Sequence, residues 1–219
     1  RKAVRVTSVI MAAILTALVA TVLCAPEEDR IALTEALDGL HDQEESGRQI
    51  DWDSLPAEVI AWVEVPGTGI DEPVVQASPD SPNAYLYRDV FGQGAYGTPY
   101  IDCECSIDSR LVIVYGHHMS DGTAFAEFAD FIDEEFAREH SRIIVYKRSG
   151  EALDLEVCAI DVVNASRERL VIDQEESFEK IVGAADLQLS DPAEAEQLFA
   201  FTTCSYQTWN SRTIVYAHH

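Results

Sequence analysis

The chain has 219 residues, enough for one sizeable hydrophobic core or two small ones. Apolar residues make up 47% and charged residues 25%, which excludes a disordered composition. The formal net charge of −24 repels phosphate backbones, so it argues against nucleic-acid binding. Such a charge is most simply a solvated acidic surface. Attraction of a cationic or amine-bearing partner is the alternative.

Residues 6–25 form an uncharged apolar stretch of 20 residues, long enough to cross a hydrocarbon layer of about 30 Å as a helix. Basic residues precede this stretch and acidic residues follow it, so the positive-inside rule places the rest of the chain outside the cytoplasm. A cleaved signal peptide and a lipoprotein attachment at Cys24 are the alternatives, and the bulky Leu23 disfavours both. We therefore predict a single-pass membrane anchor over residues 1–26.

The next segment carries helix signals. Residues 27–47 place apolar side chains close to a helical period, and Gly47 provides a stop. Residues 54–58, with Pro56 near the first turn, indicate a cap and a short helix. We predict an N-terminal helical region over residues 27–60.

Beyond residue 60, short apolar runs alternate with turn signals, as in all-β domains. The runs include AYLY (84–87), GTPYID (97–102), RLVIVYG (110–116), RIIVYKR (142–148) and LDLEVCAIDVV (153–163). A hairpin turn is predicted at 148–151, and helices are predicted over 124–140 and near 174–187. Many short strands with inserted helices favour a closed mixed barrel over a doubly wound sheet. We predict one domain over residues 61–219.

The cysteines are Cys24, Cys103, Cys105, Cys158 and Cys204. An odd number argues against a fully paired disulfide framework. A bridge between neighbours two residues apart would be strained, and no C-x-x-C pair is present to form a zinc site. The sequence therefore leaves open at least one free, reactive thiol. For Cys103, Cys105 and Cys158 the simplest interpretation is packing inside the barrel.

Residues with catalytic chemistry stand at the ends of three apolar runs. His117 follows residues 111–116, Cys204 follows residues 199–203, and Arg212 opens the last run. If the last two runs are neighbouring antiparallel strands, Cys204 and Arg212 lie at the same rim of the sheet. A guanidinium there can stabilise charge on a carbonyl oxygen, and a histidine can act as acid and base. Alternatively, the cysteine is a buried hydrophobe, the histidine a surface residue and the arginine a partner of one carboxylate.

Four segments, in this order, resemble those of class B sortases, and the resemblance extends over residues 50–219. The barrel-strand segments are AWVEVPGTGIDEPVVQ (61–76) and AYLYRDVFGQGAYGTPYID (84–102), and the catalytic segments are VYGHHMSDGTAFAEF (114–128) and FAFTTCSYQTWNSRTIVY (199–216). The resemblance implies a mostly β fold, namely a closed eight-stranded sortase-type β-barrel with N-terminal helices. It also implies a helix in the long connection before the cysteine strand, over residues 164–198.

The same resemblance implies the site residues. Cys204 corresponds to the family's nucleophile, His117 to its catalytic histidine and Arg212 to its arginine. Thr202 and Thr203 are then expected to contact the substrate. The family's Thr-Leu-x-Thr-Cys reads AFTTC here, without its first Thr, and a second histidine stands directly after His117, where many sortases have Asn.

The implied activity is transpeptidation by an extracellular enzyme that a membrane helix anchors. It cleaves a C-terminal sorting signal of secreted proteins through a thioester on Cys204, and it transfers the acyl group to an amine of a cell-wall peptide. No metal or organic cofactor is expected. A Cys–His peptide hydrolase, a pilin-polymerising sortase and a non-catalytic exported binding module are the alternative hypotheses.

Overall fold

The computed structural model describes residues 48–91, 97–164, 174–205 and 211–219. The anchor predicted over residues 1–26 and the helix predicted over residues 27–47 lie outside the described residues. In the described ranges, no helix is long and apolar enough to cross a membrane.

Within these ranges nine strands form one mixed sheet in the order β5-β1-β2-β3-β4-β8-β9-β6-β7. Their bounds are β1 Val59–Glu64, β2 Asp71–Gln76, β3 Tyr100–Ile101, β4 Leu111–Gly116, β5 Arg142–Lys147, β6 Ala152–Asn164, β7 Leu187–Gln188, β8 Leu198–Ser205 and β9 Ser211–His218. Strand β5 also pairs with β6, so eight strands close into a barrel and the short β7 lies outside it, on β6. The predicted closed eight-stranded barrel is confirmed.

The strands follow the hydrophobic pattern of the sequence. In β1 buried and partly exposed residues alternate, because one face of the strand packs on the core and the other meets solvent. In β4 the first four residues are all apolar and all buried, as expected for a strand that is covered on both faces. Strand β4 pairs antiparallel with β3 and parallel with β8, so it is central in the sheet.

Four helical segments lie between the strands of the described residues, and the first is a short 3-10 turn, Ala84–Leu86. A 3-10 helix, Ala126–Ile132, runs into α1, Glu134–Glu139, and Asp133 caps α1 by accepting hydrogen bonds from two backbone N–H groups. The helix predicted over 124–140 is therefore present, but its first half is wound as a 3-10 helix. A second α-helix, α2, spans Phe178–Val182 and lies in the connection before the cysteine strand, within the region predicted near 174–187.

The short helix predicted at 54–58 is wrong. The chain there forms turns in which Leu55 N–H donates to the Trp52 carbonyl three residues earlier. The Arg148 guanidinium donates hydrogen bonds to the carbonyl oxygens of Trp52 and Pro56 at 2.7 and 2.9 Å. It also donates to the carbonyl oxygen of Val59. These carbonyls are thus hydrogen-bonded to the barrel, which holds this segment in a non-helical path.

The prediction of a strand at 84–87 is also wrong. Residues Ala84–Leu86 form a 3-10 turn instead. Tyr85 is buried in a small second core with Val75 and Tyr100, and Leu86 packs partly against the same core. Two successive residues therefore face the same core, which the alternating geometry of a strand does not allow.

The main core contains a cluster of phenylalanines that joins the 3-10 helix to β8. The Phe128 ring stacks on Phe201 with ring centroids 5.3 Å apart, and it meets Phe125 edge-on at 4.9 Å. Phe128 also contacts Phe131, and all four side chains are essentially inaccessible to solvent. The cluster fixes β8 from one face, just before the strand reaches Cys204.

Replacing Phe128 with alanine is expected to lower the free energy of unfolding by about 3 to 5 kcal/mol, because it leaves a cavity among the three neighbouring rings. Urea denaturation followed by circular dichroism measures this loss. Ile132→Ala, at a side chain that is 39% exposed on the same 3-10 helix, is the matched control and should change stability far less. Equal losses in the two variants would contradict the assigned packing.

Candidate active site

The strand register brings the sequence-predicted residues to one edge of the sheet. In the β8–β9 pair, Cys204 lies directly opposite Arg212. In the parallel β4–β8 pair, Gly116 lies opposite Thr203, so His117 follows at the position beside Cys204. The structure thus places the three residues on adjacent strands, in the order His117, Cys204, Arg212.

These residues open onto one cleft with a cavity volume of about 200 Å³. Strand-borne residues form its floor, and the 3-10 turn Ala84–Leu86 forms one wall. The lining residues are Pro82, Asn83, Tyr85, Leu86, Thr98, Tyr100, Asp102, Tyr115, Gly116, His117, Thr202, Thr203, Cys204 and Arg212. A cleft of this size accommodates a few atoms on either side of a peptide bond rather than a large cofactor.

One nitrogen of His117 is held by the protein itself. Its Nε2 is hydrogen-bonded to the carbonyl oxygen of Leu86. A carbonyl oxygen can only accept, so Nε2 carries the proton and Nδ1 remains as the nitrogen that can exchange a proton with a substrate. Gly97 supports this arrangement with φ of +72°, because a Cβ at that position would lie 2.7 Å from Cδ2 of His117 and 2.6 Å from the Leu86 oxygen.

His118 has a different contact. Its Nδ1 donates to the backbone carbonyl of Cys204 at 2.9 Å, which ties the end of β4 to the end of β8. The backbone of the same loop is closed by a bridge between His118 and Ala124, and by a hydrogen bond from Phe125 N–H to the His117 carbonyl at 2.9 Å. Of the two histidines, His117 lines the cleft, and His118 braces the strand that carries the cysteine.

Gly116 is required for this loop to lie where it does. A Cβ at Gly116 would be 2.3 Å from Cδ2 of Phe125, whose ring is fully buried. The ring therefore packs directly on the glycine backbone. Close approach of a side chain to the backbone is a recurrent reason for glycine in a strand.

Arg212 is exposed and lies near a group of aromatic and acidic residues. Among the described residues the ion pairs involve other cations, namely Arg88, Arg138, Arg142, Lys147 and Lys180. The alternative that Arg212 serves one carboxylate as a surface ion pair finds no support there. Its guanidinium is thus available to a group that enters the cleft.

Tyr115, Tyr100 and Asp102 form the polar floor beneath Arg212. The two tyrosine rings pair across β3 and β4 with centroids 5.4 Å apart. Burial and a hydrogen bond to the negative Asp102 carboxylate raise the pKa of Tyr115, while the positive Arg212 opposes this shift. Burial likewise raises the pKa of Tyr100, and Arg212 again opposes the shift. Both tyrosines therefore remain neutral hydrogen-bond donors at physiological pH.

A side chain of β2 holds the loop that carries Asp102. The side-chain amide of Gln76 donates to the carbonyl oxygens of Asp102 and Cys105, each at 3.1 Å. These bonds fix the loop after β3, and the loop in turn directs Asp102 towards Tyr115.

Thr202 and Thr203 are both buried and both line the cleft. Within the described part of the chain, neither hydroxyl has a hydrogen-bond partner. Buried polar groups are usually paired, so an unpaired buried hydroxyl beside a cleft can take a partner from water or from a ligand. Successive residues of a strand point to opposite faces, so Thr202, which shares the face of Cys204 in β8, is the one whose side chain can face the cleft.

The cysteines differ sharply in exposure. Cys204 is exposed, Cys103 is intermediate, and Cys105 and Cys158 are buried. Burial raises the pKa of Cys105 to about 11 and that of Cys158 to about 12, so both remain thiols at neutral pH. The expectation of buried packing is confirmed for Cys105 and Cys158, whereas Cys103 is only partly buried.

The described residues offer no group of three or more His, Cys, Asp or Glu side chains that could hold a metal ion.

The sequence pattern did not reveal some residues of the site. Leu86 contributes only a backbone carbonyl, which no side-chain motif can indicate. Asp102 and Tyr115 act across the β3–β4 pair, and neither belongs to a recognisable motif. One signal was available for Tyr115, because it directly precedes the Gly116-His117 sequence at the end of an apolar strand.

The sortase domain family matches residues 63–219, which is more than half of the chain. The chain belongs to the sortase family. The match covers β4, β8 and β9, the strands that position His117, Cys204 and Arg212. Members of this family are cysteine transpeptidases, and Cys204 is exposed in this structure.

Individual relatives place this sortase near class B. Sortase B of Listeria monocytogenes is 27% identical over 94 residues, which cover 41% of this chain and 37% of that protein. The matched region thus spans little more than a third of that relative's length. The resemblance to class B sortases stated from the sequence is confirmed by this relative and by the solved structures below.

Two solved structures show the likeness in fold. Sortase B of Clostridium perfringens matches with a TM-score of 0.63 and 25% identity, over 74% of this chain and 93% of that one. The sortase B–substrate complex of Staphylococcus aureus matches with a TM-score of 0.66 and 18% identity, over 88% and 96%. The second identity is low enough that the comparison supports the fold alone.

Treatment of the native sortase with iodoacetamide near pH 7.5 is expected to label Cys204 first, because it is exposed, whereas Cys105 and Cys158 are buried thiols with raised pKa values. Peptide-level mass spectrometry gives the order of labelling, and the same reaction in urea should label all of them. Labelling of Cys158 before Cys204 in the native protein would contradict the structure. An unreactive Cys204 would favour the binding-module hypothesis.

Proposed function

We propose that this sortase is a cysteine transpeptidase that cleaves a C-terminal sorting signal of secreted proteins and transfers the acyl group to a cell-wall peptide amine. The observation that carries the proposal is the convergence of His117, Cys204 and Arg212 on one cleft through the β4–β8–β9 register. A thiol, an imidazole and a guanidinium are the groups that acyl transfer through a thioester requires.

The first half-reaction forms the acyl-enzyme. The Cys204 thiolate attacks the carbonyl carbon of the scissile peptide bond, and the electron pair of the C=O bond moves to the oxygen. The Arg212 guanidinium, directly across the strand pair, donates hydrogen bonds to this oxyanion. When the C–N bond breaks, His117 donates a proton to the leaving amine, and a thioester remains on Cys204.

The second half-reaction reverses these roles. The acceptor amine attacks the thioester carbonyl, His117 takes a proton from the amine, and the Cys204 thiolate leaves. We assign this proton exchange to Nδ1 of His117, because Nε2 is bonded to the Leu86 carbonyl. The Leu86 carbonyl also stabilises the imidazolium that exists before His117 protonates the leaving amine and again after it deprotonates the acceptor, in the way a hydrogen-bonded acceptor orients the histidine of other acyl-transfer enzymes.

Thr202 and Thr203 are proposed to bind the substrate. Both hydroxyls are buried beside the cleft and lack partners among the described residues. The backbone N–H and C=O groups of an extended peptide supply a suitable partner for the hydroxyl on the cleft face of β8, and such pairing would relieve the cost of an unpaired buried hydroxyl there.

The proposed location is the outer face of the cell membrane, with residues 1–26 as a single-pass anchor. The 20-residue uncharged stretch and the charges at its two ends support this location. Secreted proteins that carry a sorting signal and cell-wall peptides are both accessible to an enzyme held there.

The experiment that tests the proposal is a screen of sorting-signal peptides for a covalent adduct. Mass spectrometry of the intact protein should show the mass of the peptide's amino-terminal part, bound as a thioester at Cys204. Cys204→Ala should give no adduct and no cleavage while it keeps the fold, and Cys103→Ala is the matched control that should keep both. Turnover by Cys204→Ala would remove Cys204 as the nucleophile. Products formed with water alone, even when amines are added, would favour a hydrolase.

Arg212→Lys is expected to lower kcat for peptide cleavage by about a hundredfold or more, since an ammonium lacks the planar pair of donors that a guanidinium offers to the oxyanion. KM should change much less, because the interaction is strongest in the transition state. Steady-state kinetics of Arg212→Lys and of Arg138→Lys, a surface change on α1, measure the difference. A near-normal kcat in Arg212→Lys would exclude the oxyanion role.

Alanine substitutions of the two histidines should have clearly different effects on kcat. His117→Ala is expected to lower kcat by about 10²- to 10⁴-fold, because the acid and base are lost. His118→Ala removes one hydrogen bond to the Cys204 carbonyl, so its cost should stay near or below about tenfold. Parallel measurement of both variants under the same conditions decides between them. An inactive His118→Ala beside an active His117→Ala would reverse the assignment.

A further inference from the structure

The strand order fixes the side of the cleft on which amines leave and enter. In the proposed mechanism Arg212 donates hydrogen bonds to the oxyanion, and His117 exchanges protons with the amine. Arg212 lies on β9, whereas His117 follows the end of β4, on the other side of β8. Both the leaving amine and the acceptor amine must come close to the His117 imidazole. The residues that flank His117 on its side away from Arg212 are therefore those that the acceptor meets.

Tyr87 lies beside His117, directly after the residue whose carbonyl is bonded to the imidazole. The centroids of the two rings are 6.1 Å apart, with an interplanar angle of 43°. The Tyr87 side chain is nevertheless 72% exposed, the highest value among the large hydrophobic residues of the described chain. Phe91, four residues further on, is 42% exposed. The exposed ring beside His117 offers its face to a ligand that approaches the histidine.

The exposure of Tyr87 is built into the segment. The carbonyl of Leu86, directly before Tyr87, accepts a hydrogen bond from His117. Tyr85, one residue earlier, is buried in the second core. Thr98 holds the chain on both sides, since its N–H donates to the Tyr85 carbonyl and its hydroxyl donates to the Arg88 carbonyl. The backbone is thus held from Tyr85 to Arg88, and the Tyr87 ring is presented outwards from a fixed position.

The charges near this ring suit a cation. Asp89 lies two residues beyond Tyr87. Burial raises the pKa of Glu72 on β2, and the negative charges of Asp71 and Asp89 add to this shift. The cation of the segment, Arg88, is 3.7 Å from Glu58 and is therefore partly neutralised. A primary amine is an ammonium ion at neutral pH, and an ammonium is attracted both to acidic surroundings and to the face of an aromatic ring.

We propose that Tyr87 forms the acceptor subsite of this sortase and binds the ammonium group of an amine-bearing peptide beside His117. The inference rests on the proposed function and extends it, because it names the residue that selects an amine over water at the second half-reaction. The Tyr87 face holds the ammonium within reach of His117. One proton leaves the ammonium to solvent, and the neutral amine then attacks the thioester carbonyl while Nδ1 of His117 takes a second proton from it, as in the second half-reaction above. Water carries no positive charge, so it has no cation–π attraction to this ring.

The test separates acylation from transfer. Each variant receives the sorting-signal peptide that acylates the wild-type protein, together with increasing triglycine as the amine. N-acetyltriglycine, which has no free amine, replaces triglycine in a parallel series. Quenched mass spectrometry gives the rate of thioester formation, and the ratio of transferred to hydrolysed product gives the triglycine concentration at half-maximal transfer.

In Tyr87→Ala we expect thioester formation within about twofold of wild type and a rise of about threefold to tenfold in the triglycine concentration needed for half-maximal transfer. Tyr87→Phe keeps the aromatic face, so its transfer curve should stay close to that of wild type. Ile132→Ala removes an exposed apolar side chain elsewhere and should leave both measurements unchanged.

Several results would overturn the inference. An unchanged transfer curve in Tyr87→Ala would show that the ring does not bind the acceptor. An equal fall in thioester formation and transfer would show that Tyr87 acts by positioning His117. A failure of Tyr87→Phe to retain transfer would assign the effect to the phenolic hydroxyl. If wild-type protein forms no thioester with any peptide, the proposed function itself fails, and this outcome differs visibly from the other three.

Discussion

Strand β8 lies between β4 and β9, and the site depends on the registers of these two pairings. The antiparallel register with β9 sets Arg212 opposite Cys204, and the parallel register with β4 sets His117 beside it. A slip of one residue in either pair would turn the affected side chain to the other face of the sheet. The Phe128–Phe201 stack and the barrel closure through β5 and β6 stabilise these registers, so the fold and the chemistry share the same interactions.

The histidine needs a second support that the sheet does not provide. The turn Ala84–Leu86 packs on the small second core and presents the Leu86 carbonyl to His117. The carbonyl fixes both the tautomer and the orientation of the ring. The residue after this carbonyl, Tyr87, is exposed beside His117. One short segment thus supports the proposed acid–base group and carries the proposed acceptor subsite.

The sequence was most informative where a contact is local. The pairing of Cys204 with Arg212 could be predicted because a short loop joins two apolar runs, which makes an antiparallel pair the simplest arrangement. The parallel β4–β8 pair could not be derived from local pattern, since its strands are far apart in the chain, and only the family resemblance indicated it. Tyr85 and Leu86 looked like part of a strand, yet their burial in the second core required a 3-10 turn. The Leu86 carbonyl has no signal in the sequence at all, because every residue carries such a group.

The central claim is that the three residues act on one carbonyl group, and the structure of the acyl-enzyme tests it most directly. A crystal structure of the protein with a sorting-signal peptide trapped as a thioester on Cys204 would show where the carbonyl oxygen lies. The account predicts that this oxygen accepts a hydrogen bond from the Arg212 guanidinium at about 2.7 to 3.1 Å and that Nδ1 of His117 faces the carbonyl carbon from the opposite side. A carbonyl oxygen directed away from Arg212, with the imidazole of His117 outside reach of the thioester, would contradict the account.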